Sequence, residues 1–185
     1  MDVAVQVVEF WRDAGPQQWF TRDDAFDARF REAFLEEHFA AARRGREHWL
    51  GSADGALALM ILLDQFPRNC FRDTAHSYAT DGLARHYAMR AVEEGLDLQL
   101  VPKLRAFIYL PFEHSEEMED QLRAVELFTE RLPGEGLTHA RAHAATISEF
   151  GRFPWRNAAL GRTATPEEEA IMAAGGYAEM LRRVS

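Results

Sequence analysis

Three arginines crowd among aromatics in Phe150-Gly151-Arg152-Phe153-Pro154-Trp155-Arg156-Asn157 and its continuation Leu160-Gly161-Arg162. A guanidinium fork holds a carboxylate or phosphate through two parallel hydrogen bonds, so Arg152, Arg156 and Arg162 point to anion recognition, with Asn157 bonding either a ligand or the turn that holds it. Such forks serve an enzyme, a binding module or an internal salt-bridge network equally, and the motif alone fixes no reaction. A second group, Glu113-His114-Ser115-Glu116, sets an imidazole that titrates near neutrality beside carboxylates able to orient it, which is what acid–base chemistry requires. A capped helix start with a hydrogen-bonded His114 would use the same residues without catalysis. His139 and His143 have the i, i+4 spacing of a two-histidine metal edge. The residues between them include Arg141 rather than the acidic residue of a zincin, and no Cys-rich or Asp-rich set completes the ligands, so no metal is expected.

The chain that carries these groups has 185 residues, 47% of them hydrophobic and 28% charged, which suits one domain with room for a real core. Its net charge of -9 opposes general affinity for nucleic acid, whose phosphates require a basic face. Of 21 basic residues only Lys103 is lysine, a bias that reflects coding more than site design, so position and not number identifies the important arginines. The single cysteine, Cys70, permits no internal disulfide and reads as a small buried hydrophobe, in keeping with a reducing compartment. The longest apolar run, Ala56 to Leu63, is too short to span a bilayer, and the chain opens without a basic n-region, so a cytoplasmic protein with no membrane partner is expected. No Gly-rich phosphate loop, Gly-x-Ser-x-Gly elbow or dinucleotide fingerprint is present, and no cofactor is expected.

The elements that must position the site read as helices. Asp2 caps a short first helix, and from about Arg22 to Arg43 the residues Phe26, Phe30, Phe34, His38 and Phe39 recur at helical spacing, with Asp24, Asp27 and Arg31 elsewhere on the wheel. Ser52 or Asp54 opens a helix that is apolar on every side from Leu57 to Leu63 and is expected to end at Pro67, leaving Asp64 near a helix C-terminus in apolar surroundings. That carboxylate needs a partner, and Arg68, Asn69 and Arg72 follow within two turns. Asp73 or Thr74 caps a long helix to Glu94; Pro102 starts another, on which Arg105, Tyr109 and Phe112 align until Pro111 interrupts. Ser115 reads as the cap of the next helix, and from Leu137 a further helix turns His143 inward with Ala140 and Ile147. Thr165-Pro166-Glu167-Glu168 caps a last helix pair divided at Gly175-Gly176. No stretch alternates with period two, so the fold class is all-α.

Three blocks, Leu63-Asp64-Gln65-Phe66-Pro67-Arg68-Asn69, Tyr109-Leu110-Pro111-Phe112-Glu113-His114-Ser115-Glu116, and Phe150 to Pro154 with Arg156-Asn157 and Leu160-Gly161-Arg162, resemble the signature blocks of the bacterial domain of unknown function family 924. The likeness covers nearly the whole chain. It implies an all-helical, tetratricopeptide-like superhelix, although the helices show no repeat at the usual spacing, and it implies no established activity. The family commonly has histidine before the Arg-Asn pair, where this chain has Trp155, so a mechanism requiring a histidine there is not implied.

The sequence therefore describes a single-domain bundle of antiparallel helix pairs, residues 1–185. Its concave side is expected to gather Arg68, Arg72, Arg105 and Tyr109 with His114, His143, Arg152, Arg156, Asn157 and Arg162. The leading reading is a binding module for a small anion or an acidic peptide. A second reading has the arginines saturated by Asp64, Glu113 and Glu116 as a structural network. A third has His114 or His143 moving a proton beside a bound anion; no nucleophile, base and orienter set can be assembled from the sequence.

Overall fold

The computed structural model describes residues 2–185, the side chain of Glu135 excepted. Among them there is no strand, and the chain gathers into two compact units, Met1–Pro111 and Phe112–Ser185.

In the first unit the helix Val3–Ala14 (α1) is capped by the Asp2 carboxylate, which accepts from the Ala4 N–H. A short turn of helix, Pro16–Trp19 (α2), leads to Asp24–Ala42 (α3). Along α3 the aromatic column is core: Phe26, Phe30, Phe34 and His38 are all buried, and Phe10, Trp11 and Phe66 pack on it at ring distances of 4.9–5.5 Å in the pairs Phe10–Phe26, Trp11–Phe30 and Phe30–Phe66. Ser52 Oγ accepts from the Gly55 N–H and starts Ala53–Met60 (α4), where every residue from Ala56 to Leu63 is 0% exposed. Each large side chain in that run contributes roughly 1.5–3 kcal/mol of transfer free energy.

The helix does not stop before Pro67. It widens into a π turn, Ile61–Gln65, and continues as Phe66–Cys70 (α5). The cause is local. Proline has no N–H and its ring clashes with the carbonyl four residues back, so a regular helix would leave Leu63 O crowded and unpaired. In the wide turn the Phe66 N–H reaches back to Ile61 O, and side chains answer the released carbonyls: Thr80 Oγ1 donates to Leu63 O at 2.5 Å and His38 Nδ1 donates to Leu62 O at 2.8 Å. Asp64 thus lies inside a continuous helical stretch and not at a C-terminus.

The long helix expected after Asp73 is a 3-10 turn, Ala75–Tyr78, followed by Asp81–Glu93 (α6). Pro102–Glu113 (α7) runs through Pro111, which does not interrupt it, and its last two residues belong to the second unit. That unit continues with Met118–Arg131 (α8), Glu135–Phe150 (α9), Asn157–Leu160 (α10), Pro166–Ala173 (α11) and Tyr177–Val184 (α12). Glu117, not Ser115, takes the N-cap position of α8; Ser115 Oγ accepts the Glu117 N–H and donates to Asp120. Helix α9 packs against both α8 and α12.

Candidate functional site

The arginine motif is a folded turn with the forks of Arg152 and Arg162 already occupied. Gly151, at φ 68°, ends α9 in the left-handed conformation that glycine adopts most readily, and Pro154 begins a single 3-10 turn, Pro154–Arg156, before α10. Glu116 straps this turn down. Its Oε1 accepts the Phe153 N–H at 2.9 Å, and its two oxygens take the Arg162 fork at 2.9 and 2.7 Å. Burial acts to raise the Glu116 pKa, but Arg162, the Phe153 amide and Arg156 outweigh it and hold the carboxyl below its usual range. Arg156 is 6% exposed, lies over the Phe153 ring at 4.5 Å and donates from Nη2 to His114 O at 2.8 Å. Arg152 is directed to Glu168 at the start of α11, with Nε on Oε1 at 2.5 Å and Nη2 on Oε2 at 2.7 Å. Glu168 also accepts from Asn157 Nδ2 at 3.1 Å and from the Thr165 N–H at 2.8 Å, closing a capping box, and the Arg152 fork holds its pKa at about 2.

Beside this network a carboxylate meets a histidine. Glu113, at the end of α7, is 2% exposed, and its Oε1 lies 2.9 Å from His143 Nδ1 on α9; its Oε2 has no hydrogen-bond partner among the described residues. The same Nδ1 lies 3.0 Å from His139 O. A carbonyl oxygen can only accept, so Nδ1 carries a proton and the neutral ring keeps its lone pair on Nε2. Rings close around the imidazole: Tyr177 at 4.7 Å, Phe153 at 5.4 Å, His114 at 6.1 Å and Trp155 at 6.2 Å. The Tyr177 hydroxyl hydrogen-bonds His139 Nδ1, and burial together with the Glu113 charge pushes its pKa above the ordinary tyrosine value. His139 and His143 engage different partners, and no group of three metal-binding side chains occurs among the described residues.

Residues 7–176 match the model of a family described as a bacterial protein of unknown function. The chain belongs to the DUF924 family. It is also similar to the solved structure of ATU0120, a protein of unknown function from Agrobacterium tumefaciens, at 50% sequence identity and a TM-score of 0.91, over 94% of this chain and 98% of that one. No curated protein is significantly similar.

In this DUF924 protein the other predicted site residues lie in the first unit, each engaged there. Arg68 Nη1 and Nη2 take the Asp81 carboxylate at 2.8 Å each, and Nη1 lies 3.1 Å from Asp64 Oδ1. Burial acts to lower the Arg68 pKa, and the two carboxylates reverse this and raise it. Asp64 is 0% exposed and also accepts from Gln65 Nε2 at 2.6 Å. Arg72 Nε donates to Asp27 at 2.9 Å, and Asn69 Nδ2 donates to the same carboxylate at 2.8 Å; Asp27 is buried, not on the solvent face of α3. Arg105 Nε donates to Asp97 O at 3.1 Å and its Nη2 to Leu100 O at 3.1 Å, and the Tyr109 hydroxyl donates to the buried Asp97 carboxylate at 2.6 Å. Cys70 is partly buried, and burial, with Asp27, pushes its thiol up to about 12, so it is not a nucleophile near neutrality. Among the described residues no helix is long and apolar enough to cross a membrane.

Sequence reasoning missed Tyr177 and the role of Glu168. The signal for Glu168 was its capping-box position at Thr165. For Tyr177 there was only an aromatic residue directly after the Gly175-Gly176 break.

Proposed function

We propose that this DUF924 protein is a binding module whose ligand, a small anion or the acidic end of a peptide, meets the second unit at His143. One observation carries the reading: Glu113, a carboxylate buried from water, is answered by a histidine that meets it through Nδ1. A buried carboxylate without a full set of partners costs several kcal/mol, and such groups concentrate where a protein acts on something. Phe153, Trp155 and Tyr177 supply apolar walls, as small-molecule sites require. The arginines build the platform, because the forks of Arg152 and Arg162 are held by Glu168 and Glu116. The single cysteine is in keeping with a cytoplasmic setting, which belongs to the same proposal.

Calorimetric titration with sulfate, phosphate and small dicarboxylates tests the reading. Weak saturable binding at pH 6 that His143→Gln abolishes is the expected result. Heats indistinguishable from dilution for every anion, or binding untouched by His143→Gln, would leave the second unit as scaffold alone. Acid–base catalysis, the third reading of the sequence, draws on the same tautomer: a carboxylate-held Nδ1–H leaves Nε2 as a base toward an acidic proton of the ligand.

A further inference from the structure

Resting on the reading of His143 as the ligand contact, we infer that the protein takes up its anion together with one proton, and so binds the ligand in effect as its conjugate acid. The geometry of one nitrogen carries the inference. His143 Nδ1 sits between two acceptors, Glu113 Oε1 at 2.9 Å and His139 O at 3.0 Å, so it keeps its hydrogen whether the ring is neutral or charged. The neutral ring therefore shows a ligand only a lone pair at Nε2, which repels an anionic oxygen. An anion binds there when Nε2 gains a hydrogen, either from solvent or carried in on the ligand's own acid group. Both routes add the same atoms: one anion and one proton enter, and no other group need change.

The surroundings leave that charge to the imidazole. From α7 the facing group is the Glu113 carboxylate; from the residue after it comes the His114 ring, and from its own helix His139. From α12 comes the Tyr177 phenol, bonded to His139, and from the turn after α9 come the uncharged rings of Phe153 and Trp155. The guanidinium nearest that turn, Arg156, is buried against Phe153 with Nη2 on His114 O, while Arg152 and Arg162 are engaged by carboxylates. The added proton balances the Glu113 charge, so the protonated Nε2 offers an anion a hydrogen-bond donor without an opposing net charge at the pair.

Sulfate is the probe, since it does not titrate near neutrality. Titrations from pH 5 to pH 8, each in two buffers of different ionisation enthalpy, count the protons taken up. The expected result is affinity falling about tenfold per pH unit across the range where imidazole loses its proton, with close to one proton taken up at the upper end. Glu113→Gln, which keeps the shape and removes the charge, moves that fall to lower pH. Sulfate binding with no proton uptake, or with uptake unchanged in a folded His143→Gln variant, overturns the inference while an anion site remains. No binding at any pH overturns the reading on which it rests.

Discussion

Asp64 in the first unit and Glu113 in the second are carboxylates buried to the same depth, at 0% and 2% exposed, yet they are answered differently. Asp64 has an arginine on one oxygen and the Gln65 amide on the other, and its arginine is shared with a second carboxylate, Asp81. Glu113 has a histidine on one oxygen and, among the described residues, no hydrogen bond on the other. A guanidinium is charged at every working pH, so the first arrangement has one state and contributes rigidity. An imidazole can be neutral or charged, so the second has two states open to it, as a binding or proton-handling group requires. Depth of burial is therefore a poor guide to function; the partner's chemistry separates the two.

The sharpest way to break this contrast is to delete both carboxylates. Asp64→Ala removes the acceptor of the Gln65 amide and leaves Arg68 with Asp81 and the backbone carbonyl of residue 64, and is expected to destabilise by roughly 3–5 kcal/mol, toward the lower figure because Asp81 remains. Glu113→Ala removes a carboxylate whose partner can stay neutral, and is expected to cost about 1 kcal/mol of stability while moving the loss of sulfate binding to lower pH. Urea denaturation of the two variants gives the comparison directly. Equal losses would mean that Glu113 is as structural as Asp64.

Acid sharpens the contrast at smaller amplitude. His38 is buried, with Nδ1 on Leu62 O and Nε2 2.9 Å from His76 Nε2, and burial lowers its pKa from 6.5, with neighbouring His76 lowered as well. The unfolded chain then binds more protons than the folded one, so this stability is fully present above pH about 6.5 and is lost as pH falls below it. Glu168 has its own window: lowered from 4.5 to about 2, it contributes stability above pH 4.5 that is lost toward pH 2. Amide exchange followed on α4 and on α11 separately is expected to weaken around α4 first as pH drops from 7.5 to 5. His38→Asn should remove that first window. Simultaneous loss in both helices near pH 4 would show that the histidine pair contributes nothing measurable.

How far these differences can be read from the sequence varies by residue. The burial of Leu57 to Leu63 follows from composition, because a helix with no polar face has nowhere else to go. The need of Asp64 for a partner is equally plain. The π turn is not legible, since it depends on Leu62 O and Leu63 O finding His38 and Thr80, which lie 24 and 17 residues away in sequence. Glu113 and His143 can each be named from local pattern, but no spacing rule joins residues on α7 and α9. The occupied forks accord with a simple count, 30 acidic against 21 basic residues, which leaves internal carboxylates to compete for the arginines. What the types alone cannot distinguish is a fork waiting for a ligand from one closed by Glu168.

Arg152→Lys decides that last point and carries the smallest expected effect. If Arg152 were a ligand contact, losing its fork would impair anion binding despite the retained charge. In the structure the fork spans both oxygens of Glu168 and its Nη2 also reaches Thr163 O at 2.9 Å, so it ties the end of α9 to the cap of α11. Lysine keeps the charge but replaces a planar pair of parallel bonds with a single mobile contact. Glu168 keeps the Asn157 amide and the Thr165 N–H, so its carboxylate stays partnered and the loss is confined to the tie itself. The Arg152 side chain is 29% exposed, where water screens the pair, and only a small downward shift of the urea midpoint is expected. Sulfate affinity at pH 6 should stay within about twofold of the unsubstituted protein, a difference of roughly 0.4 kcal/mol. A tenfold loss of sulfate affinity with an unchanged midpoint would reverse the assignment, making Arg152 the contact and His143 the bystander.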